Sequence, residues 1–495
     1  IEYLKRREIK MEEREIRLQK LKELKEKGYN PFEYRFDRTH TSIEIKKSFN
    51  ELEGKEVKVS GRVISERFHG KASFITIRDF TGNLQIYLSI NNLGEENYEF
   101  FKKFIDTGDF VGVTGTVFKT HTGEITVDAK KLSLLTKSLS PLPEKYHGIK
   151  DVEVRYRKRY LDLIANPDVI NIFVKRSLII KTIRDYLNSL GFIEVETPML
   201  QPIPGGATAK PFITFHNALN QNLYLRIAPE LYLKRLIVGG FEKVYEINRN
   251  FRNEGISTIH NPEFTMLELY LAYADYKEIM VLTENLLSSV VFSINNSYVI
   301  KNGEDEINFE PPFKRVSFRE IFEEKTKENF DRFRDIGFAL DFLKKENIEL
   351  TRKPTFKNVI DEIFKEKVEK DFLNPTIVYD FPIEMSPLAK KKRDDEKWVE
   401  RFEIFIKGIE IANAFSELND PLDQKERFLS EVKEKEKGDE ESHYFDSDYI
   451  EALEYGMPPT GGLGIGIDRF TMILTDKDSI REVILFPQLR SKEED

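Results

Sequence analysis

The middle of the chain contains two stretches in which polar and apolar side chains alternate, separated by a short polar segment. Alternation over residues 243–251 and again over 263–270 is typical of β-strands. Gly255 and the sequence His260-Asn261-Pro262 favour a turn between these strands. We therefore predict a β-hairpin. The side chains that can converge on one surface of this hairpin are Arg252, Glu254, His260, Phe264, Glu268 and Tyr270.

The side chains on this surface have complementary binding chemistry. An arginine presents a planar, permanently charged fork that suits a phosphate or a carboxylate. An aromatic face suits a flat base, and two or more glutamates suit a cation. Each residue alone is more simply explained as a solvated surface group. Six of them in one hairpin predict a ligand-binding site.

A second hairpin is predicted in residues 401–420, around Lys407-Gly408. In a tight hairpin Phe405 opposes Glu410, and Glu403 lies diagonally from Glu410 on the same face. Two carboxylates this close repel each other unless a cation lies between them, and Mg²⁺ takes one or two carboxylates together with phosphate oxygens. We therefore predict that Glu403 and Glu410 hold Mg²⁺, as one ion or more, against a nucleoside triphosphate. The alternative is two exposed glutamates on a β-ribbon.

A glycine-rich strand follows near the C-terminus and leads into a helix. Gly462, Gly464 and Gly466 are spaced by two residues, which is not the dinucleotide-binding fingerprint, and no βαβ unit surrounds them. Their alternation leaves one face of the strand bare, so that a ligand can lie on it. Arg469 is then predicted to project from the start of the helix.

These stretches resemble the signature motifs of class II aminoacyl-tRNA synthetases, and with their flanks they are similar to the lysyl-tRNA synthetase family. Residues 243–270 resemble the second motif and residues 460–469 the third. A predicted helix over 168–190, followed by an edge strand that ends at Pro198, resembles the first motif. That motif forms the dimer interface in the family, so the resemblance implies a homodimer. The residues alone predict only a buried helix and an edge strand.

The resemblance implies an α+β multidomain fold, with an N-terminal OB-fold β-barrel followed by a class II catalytic domain whose antiparallel sheet is flanked by helices. The predicted segments are a helical segment at 1–50, an anticodon-binding barrel at 51–140, a linker at 141–155, and a catalytic domain at 156–495 with a helical insertion near 314–370.

The activity that the resemblance implies is ATP-dependent activation of lysine to lysyl-adenylate, followed by transfer to the 3′ end of tRNA(Lys). The implied catalytic residues are Arg252 and Arg469. The implied ATP-binding residues are Arg252, Glu254, His260, Phe264, Glu403, Glu410 and Arg469. The implied lysine-binding residues are Gly206, Glu230, Arg252, Glu268, Tyr270, Asn413, Phe415, Glu417 and Gly464.

Two of these assignments add structural expectations. Strict alternation from Glu410 would put Asn413, Phe415 and Glu417 on the opposite face, so we predict a bulge or strong twist between Glu410 and Asn413. Glu230 lies where a predicted strand ends and a helix begins, which is a common place for a binding residue. It could instead be a carboxylate that stabilises the helix dipole.

Five short strands with glycine turns between residues 56 and 135 predict the OB-type barrel. Such barrels bind single-stranded nucleic acid by stacking bases on exposed aromatic rings. Arg67, Phe74 and Gln85 occupy positions that match the base-contacting residues of the lysyl family, although Phe74 alone could equally belong to the core. The basic segment 155–162 could contact the RNA backbone or pair with acidic neighbours.

Composition and charge limit the alternatives. The absence of cysteine excludes disulfides, cysteine metal sites and a cysteine nucleophile. No apolar run reaches the roughly 18–20 residues of a membrane helix, so we expect a cytoplasmic protein with no membrane partner. A net charge of −9 requires that tRNA be met by a local basic surface. An aspartyl- or asparaginyl-tRNA synthetase and a non-catalytic OB-fold RNA-binding protein remain the alternative functions. The acidic pocket argues against aspartate as the substrate, and the intact Arg252, Glu403, Glu410 and Arg469 argue against a non-catalytic protein.

Overall fold

The computed structural model describes residues 2–143, 149–436 and 444–491. The chain divides into two compact units, Ile1–Lys150 and Asp151–Asp495. The boundary falls within the segment predicted as a linker, residues 141–155, of which 144–148 lie outside the described residues.

Five strands of the first unit form a closed barrel, which confirms the predicted OB-type fold. Buried apolar side chains such as Val57, Val59 and Val63 alternate along the first strand and fill the interior. The strand order is β1-β2-β3-β5-β4, with only β3 and β5 paired in parallel. The strands are β1 (Glu56–His69), β2 (Ala72–Asp79), β3 (Gly82–Ser89), β4 (Phe110–Lys119) and β5 (Ile125–Thr136).

Helices cover part of this barrel. The helices are α1 (Glu2–Glu26), α2 (Ser42–Lys47), α3 (Phe49–Leu52), α4 (Ile90–Leu93) and α5 (Glu95–Phe104). The first helix ends just before Gly28, whose φ of +77° suits only glycine without strain. Leu24 near the end of α1 is fully buried in the barrel core with Phe101 of α5. The end of α1 therefore packs on its own unit.

The second unit is built on an eight-stranded sheet of order β14-β15-β16-β17-β18-β11-β10-β6. The predicted hairpin over 243–270 is confirmed as β10 and β11, which pair antiparallel. Three short strands form a second sheet, β7-β9-β8, and β12 and β13 form a separate hairpin. The strands are β6 (Ile193–Glu194), β7 (Leu200–Gln201), β8 (Ile213–His216), β9 (Gln221–Leu225), β10 (Lys243–Phe251), β11 (Glu263–Ala272), β12 (Val299–Asn302), β13 (Asp305–Asn308), β14 (Lys314–Ser317), β15 (Thr376–Pro382), β16 (Trp398–Ile406), β17 (Ile409–Ser416) and β18 (Thr460–Gly466).

The prediction of an antiparallel sheet is wrong at both edges, where β6 pairs with β10 and β14 pairs with β15 in parallel. Parallel neighbours need a crossover connection, whereas antiparallel ones can be joined by a tight turn. The helices between β14 and β15 supply that crossover. The region near 314–370 therefore begins as a strand of the main sheet and continues as helices, rather than being helical throughout.

Helices cover one face of the sheet and leave room for a cavity on the other. The buried core on the covered face joins Ile183 of α8 and Phe470 of α16 to Leu267 and Leu269 of β11. Glu268 and Tyr270 alternate with those leucines and therefore face the opposite side. The helices are α6 (Val152–Arg157), α7 (Arg159–Ala165), α8 (Val169–Ser189), α9 (Glu230–Val238), α10 (Tyr276–Asn295), α11 (Phe318–Thr326), α12 (Ile336–Lys345), α13 (Phe356–Lys367), α14 (Pro421–Glu436), α15 (Ser447–Glu454), α16 (Ile467–Thr475) and α17 (Ile480–Val483).

The basic segment 155–162 is held by internal ion pairs. Arg159 is fully buried, 2.7 Å from Asp162, and also donates to three backbone carbonyls, while Arg155 lies 2.9 Å from the same carboxylate. Of the two roles considered from the sequence, these contacts favour pairing with acidic neighbours. None of the helices in the described part of the chain is long and apolar enough to cross a membrane.

Candidate active site

A cavity of about 320 Å³ opens on the free face of the eight-stranded sheet. Its walls come from α9, from β11, β17 and β18, and from the segment that joins β10 to β11. The structure brings together fourteen of the fifteen residues predicted to bind ATP or lysine. They are Gly206, Glu230, Arg252, Glu254, His260, Phe264, Glu268, Tyr270, Glu410, Asn413, Phe415, Glu417, Gly464 and Arg469. Glu403 is the one predicted residue that does not line the cavity.

The closed end of the cavity is strongly acidic. Glu230, Glu268 and Glu417 are all buried there, and the Tyr270 hydroxyl lies 3.4 Å from Glu268 Oε2. Burial raises the pKa of Glu268 well above its usual value, and the charge of Glu230 raises it further. Burial acts in the same way on the pKa of Glu417. A cationic ligand would relieve this cost, so the acidic end favours an ammonium group.

A buried lysine that the sequence analysis missed sits within this acidic group. Lys234 Nζ lies 2.6 Å from Glu230 Oε1, contacts the carboxylate of Glu417, and is 5.4 Å from the centre of the Phe415 ring. Its side chain has no exposed surface. The spacing in the sequence could have indicated this pair, since Glu230 and Lys234 are four residues apart and such residues lie on the same side of a helix.

A β-bulge places both halves of the predicted site on one side of the sheet. Phe405 is opposite Glu410, as predicted, and Ile404 is opposite Ala412, so that Ile411 has no partner on β16. The extra residue reverses the alternation between Glu410 and Asn413. The predicted bulge is therefore confirmed, and it allows residues of opposite parity to line the same cavity.

Arg252 is the central cation of the cavity. Its guanidinium carbon lies 5.0 Å from the centre of the Phe264 ring. Its Nε is buried and has no hydrogen-bond partner among the described residues. A buried donor that is left without an acceptor is costly, so this atom marks a place where a ligand can supply one.

Arg469 and His260 form a second polar group at the more exposed end of the cavity. Arg469 Nη1 donates to the backbone oxygen of Glu410 at 2.9 Å, and its Nη2 lies 3.0 Å from His260 Nε2. Because a guanidinium only donates, His260 Nε2 acts as the acceptor and the ring is neutral. Burial and the Arg469 charge lower the pKa of His260 to about 4, which agrees with this assignment. His260 can therefore contribute a hydrogen bond at neutral pH but no positive charge.

Glu403 is held just outside the cavity by an ion pair with Arg401, a second cavity-lining residue that the sequence analysis missed. Burial, which outweighs the opposing Arg401 charge, and the nearby Glu410 raise the pKa of Glu403 to about 8. Burial and the charges of Glu403 and Glu410 also raise the pKa of Glu369 to about 8. Carboxylates that repel each other can share a cation, and carboxylate oxygens are the ligands that Mg²⁺ prefers. Glu403 and Glu410 therefore fit that ion.

The carboxylates near this end do not form a protein-only metal site. Within the described ranges, no three histidine, aspartate or glutamate side chains are close enough to one another to hold an ion. Mg²⁺ commonly completes its coordination with substrate phosphates and water. A metal bound by Glu403 and Glu410 would therefore depend on the nucleotide.

The glycine positions make room mainly for the protein's own side chains. A Cβ on Gly462 would lie 1.9 Å from Glu417 Oε1 and 2.7 Å from Tyr270 Cε1. A Cβ on Gly206, which has a φ of +87°, would lie 2.8 Å from Glu230 Cβ. All three glycines of the strand line the cavity, and at Gly462 the missing Cβ also leaves room for the side chains of Glu417 and Tyr270.

Arg67, Phe74 and Gln85 form a cluster on the outer surface of the barrel. Arg67 is opposite Phe74 in the β1–β2 ladder and donates to Gln85 Oε1 at 3.4 Å. Tyr87 extends the cluster, with its ring centre 5.0 Å from that of Phe74. Tyr87 was missed, although it follows Gln85 on the same face of β3 by simple alternation.

Comparison with known proteins covers nearly the whole chain. Residues 151–490 match the family of tRNA synthetases class II (D, K and N), and residues 57–135 match the OB-fold nucleic acid binding domain. The lysine–tRNA ligase of Carboxydothermus hydrogenoformans is 55% identical over 478 residues, covering 97% of this chain and 98% of the relative. That of Syntrophomonas wolfei is 54% identical over 479 residues, covering 97% of each. That of Bacillus subtilis is 52% identical over 485 residues, again covering 97% of each.

Proposed function

We infer that this chain, which belongs to the class II tRNA synthetases for aspartate, lysine and asparagine, is a lysine–tRNA ligase. It is an ATP-dependent, AMP-forming enzyme that joins lysine to tRNA. The observation that carries this conclusion is the acidic end of the cavity beside Arg252. Three buried carboxylates attract an alkylammonium side chain and repel the side-chain carboxylate of aspartate, which disfavours the aspartyl alternative. The cavity and its cations also disfavour a non-catalytic RNA-binding protein.

The proposed lysine site uses both ends of the amino acid. Glu268 and Glu417, with the Tyr270 hydroxyl, would hold the ε-ammonium group. Glu230 and the backbone at Gly206 would meet the α-ammonium group, and Phe415 would cover the aliphatic stem. Asn413 lies on the carboxylate side and is oriented by Arg401, whose Nε donates to its Oδ1 at 3.0 Å. Gly464 would allow the backbone of β18 to approach the amino acid.

The proposed ATP site lies beside it and needs no general base. The lysine carboxylate is already an anion, so one of its oxygens can attack the α-phosphorus of ATP, giving lysyl-adenylate and pyrophosphate. Arg252 would bridge the carboxylate and the α-phosphate, which aligns the reactants and offsets developing charge. Phe264 and Arg469 would hold adenine between them, with Glu254 at its amino edge. Neutral His260 would stand near the outer phosphates and orient Arg469, whose Nη2 donates to His260 Nε2 at 3.0 Å.

We further propose that Glu403 and Glu410 hold Mg²⁺, as one ion or more, when ATP is bound. The raised pKa of Glu403, caused by burial and by Glu410, supports a cation at this place. Mg²⁺ would neutralise charge on phosphate oxygens. Arg401 would act from the protein side, by keeping the Glu403 carboxylate oriented before the nucleotide arrives.

The second half-reaction transfers lysine to the 3′ end of tRNA(Lys). The proposed anticodon contacts are Arg67, Phe74 and Gln85 on the barrel surface, where an aromatic ring, a cation and an amide stand together. An aromatic ring can stack a base and the amide can hydrogen-bond its edge. The overall charge of −9 does not attract RNA, which makes a local contact of this kind necessary.

A homodimer and a cytoplasmic location complete the proposal. Val174 and Leu178 of α8 and Ile193 of the edge strand β6 are exposed in the single chain. An apolar helix face next to an unpaired strand edge is a surface that a second copy can cover. Cytoplasm is proposed because tRNA and ATP are available there.

The test of the function is ATP–pyrophosphate exchange with each amino acid in turn. Exchange should depend on lysine and on Mg²⁺. Exchange stimulated by aspartate or asparagine in place of lysine would contradict the assignment.

A further inference from the structure

The acidic end of the cavity contains a positive charge of its own, Lys234, to which the proposed substrate contacts assign no role. Glu230, Glu268 and Glu417 would each carry a negative charge if ionised, and Lys234 is bonded to two of them. Three negative charges and one resident positive charge leave a net charge of −2. Lysine brings two ammonium groups, and its carboxylate is matched separately by Arg252. The charges therefore balance only if Lys234 is counted.

We propose that Lys234 is a specificity-determining residue that acts as a resident counter-ion: it fixes Glu230 and Glu417 in place and sets at two the number of substrate ammonium groups that the pocket accepts. This inference deepens the function proposed above and rests on it. Lys234 does not touch the reacting atoms; it acts through the two carboxylates that do contact the amino acid.

The position of Lys234 suits a fixed charge rather than a mobile one. Its side chain has no exposed surface. Helix α9 begins at Glu230, so Lys234 lies one helical turn after the residue with which it pairs. The Phe415 ring lies 5.4 Å from Nζ and borders the proposed path of the substrate's aliphatic stem. Because both carboxylates already hold this ammonium group, each presents its remaining lone pairs to the cavity.

The electrostatic setting keeps Lys234 charged. Burial lowers the pKa of its ammonium group, but the charges of Glu230 and Glu417 outweigh this, and the pKa lies above that of an exposed lysine. The other charged or titratable groups that face this cluster come from β11, β16 and α15, and they are Glu268, Tyr270, Arg401 and Tyr449. Arg401 is paired with Glu403, so it leaves the count at the acidic end unchanged.

Loss of the Lys234 ammonium group should weaken lysine binding to an extent that depends on pH. Without Lys234, two buried carboxylates face each other and retain protons near neutral pH, because burial and like charge both raise a carboxyl pKa. A protonated carboxyl attracts the substrate less strongly. Raising the pH ionises the pair and restores attraction, so the defect should shrink as pH rises.

The experiment compares Lys234→Met with wild type by ATP–pyrophosphate exchange on the full-length protein between pH 7 and pH 9. We expect the KM for lysine to rise at least tenfold at pH 7, with the KM for ATP within twofold of wild type. The ratio of the two lysine KM values should fall at least threefold by pH 9. A Lys234→Ala variant should recover part of its lysine affinity when propylammonium is added, whereas the same amine only competes with lysine in wild type.

A matched control is available in the other unit. Lys137 is also fully buried, between Asp106 at 2.5 Å and Asp109 at 2.7 Å. Lys137→Met should cost stability in the same manner without altering the KM for lysine. If Lys234→Met is insoluble, Lys234→Gln provides the same comparison, because it removes the charge but keeps polar atoms.

Three results would overturn the proposal. They are an unchanged or lower KM for lysine in folded Lys234 variants, a rise that is equal for lysine and ATP, or a rise that does not vary with pH and is not rescued by the amine. Wild-type exchange that depends on another amino acid would instead overturn the proposed function, and the inference with it. The wild-type measurement thus separates the two failures.

Discussion

Single side chains set the charge of the cavity, and Glu417 illustrates how. Its carboxylate contacts Lys234, and the pocket wall beside it consists of Tyr270 and the bare backbone of Gly462. If Glu417 also holds the ε-ammonium group of lysine, it serves both the protein's own cation and that of the substrate. Its charge should then matter to the amino acid and very little to the nucleotide.

We predict that Glu417→Gln raises the KM for lysine far more than the KM for ATP. A hydrogen bond to a charged group contributes about 1.5–3 kcal/mol, which corresponds to roughly a 10- to 150-fold change. Steady-state exchange kinetics with each substrate varied in turn would measure this. Glu284→Gln is the control, because Glu284 is equally buried but pairs with Arg315 in another part of the unit. Equal changes in the two KM values would contradict the pocket assignment.

Sequence reasoning at this scale identified residues by type and spacing, and it failed where a residue acts through another. Glu268 was predicted from the hairpin pattern, and the resemblance to the lysyl family implied both Glu268 and Glu417 as lysine-binding residues. Lys234 and Arg401 were missed because a lysine on a helix and an arginine on a strand are most simply explained as surface charges. Only the fold shows that Lys234 is buried between two carboxylates.

At the scale of elements, β18 shapes the cavity by carrying glycine at alternate positions, 462, 464 and 466. Gly462 lies between Tyr270 and Phe415 of the neighbouring strands, and the absence of a Cβ leaves space for the Glu417 carboxylate. At Gly466, by contrast, the nearest atom to an added Cβ would be Arg469 Cδ at 3.7 Å, an ordinary contact distance. The same substitution should therefore have different consequences at the two positions.

We predict that Gly462→Ala raises the KM for lysine at least tenfold, whereas Gly466→Ala leaves it within about threefold of wild type. The added methyl group at residue 462 would displace Glu417, because the two atoms cannot remain 1.9 Å apart. Exchange kinetics on both variants, with thermal unfolding as a check of folding, would measure this. Similar lysine KM values for both variants would show that the strand tolerates the methyl group.

The barrel contains a carboxyl group that links its stability to pH. Burial and the charges of Asp106 and Asp109 raise the pKa of Glu66 on β1 to about 7. Since the folded barrel holds this proton more tightly than the unfolded chain does, its stability should fall as pH rises from about 4.5 to 7. The shift in pKa corresponds to about 3 kcal/mol in the free energy of unfolding. Because Glu66 is partly exposed, the expected loss of stability is about 1–2 kcal/mol.

We predict that Glu66→Gln, which cannot ionise, stabilises the barrel relative to wild type at pH 8 more than at pH 5. Hydrogen–deuterium exchange of barrel peptides would measure this without interference from the second unit. Glu124→Gln, at an exposed position near the β4–β5 turn, is the control and should follow wild type at both pH values. An equal effect of Glu66→Gln at pH 5 and pH 8 would contradict the assigned proton.

Some elements were predictable and others were not, for physical reasons. The hairpin of β10 and β11 follows from local alternation. The bulge at Ile411 was predictable only with the family resemblance, which implies that Glu410 and Asn413 line the same cavity. The parallel pairing of β14 with β15 was not predictable, because β14 has only four residues, of which two are charged, and its partner lies about sixty residues away. Local patterns carry no information about a partner that distant.

For the molecule as a whole, the proposed roles divide between the two units. Every group proposed for lysine activation belongs to the second unit, and all of them except Glu403 line its cavity. If the aromatic and basic cluster of the first unit contacts the anticodon, as proposed, it should affect only steps that involve tRNA. Exchange of pyrophosphate, which needs no tRNA, and aminoacylation of tRNA should therefore respond differently to changes in the barrel.

We predict that Phe74→Ala raises the KM for tRNA(Lys) in aminoacylation while exchange rates stay within experimental error of wild type. Stacking of one base on an aromatic ring is worth about 1–3 kcal/mol, so the expected loss is roughly 5- to 150-fold. Phe80→Ala is the control, because Phe80 is an exposed barrel phenylalanine in the β2–β3 turn, outside the cluster, whereas Phe74 is half-buried within it. If Phe74→Ala and Phe80→Ala behaved alike, the contact surface for tRNA would have to lie elsewhere on the barrel. If Phe74→Ala instead lowered exchange, the barrel would influence lysine activation directly, and the division between the units would not hold.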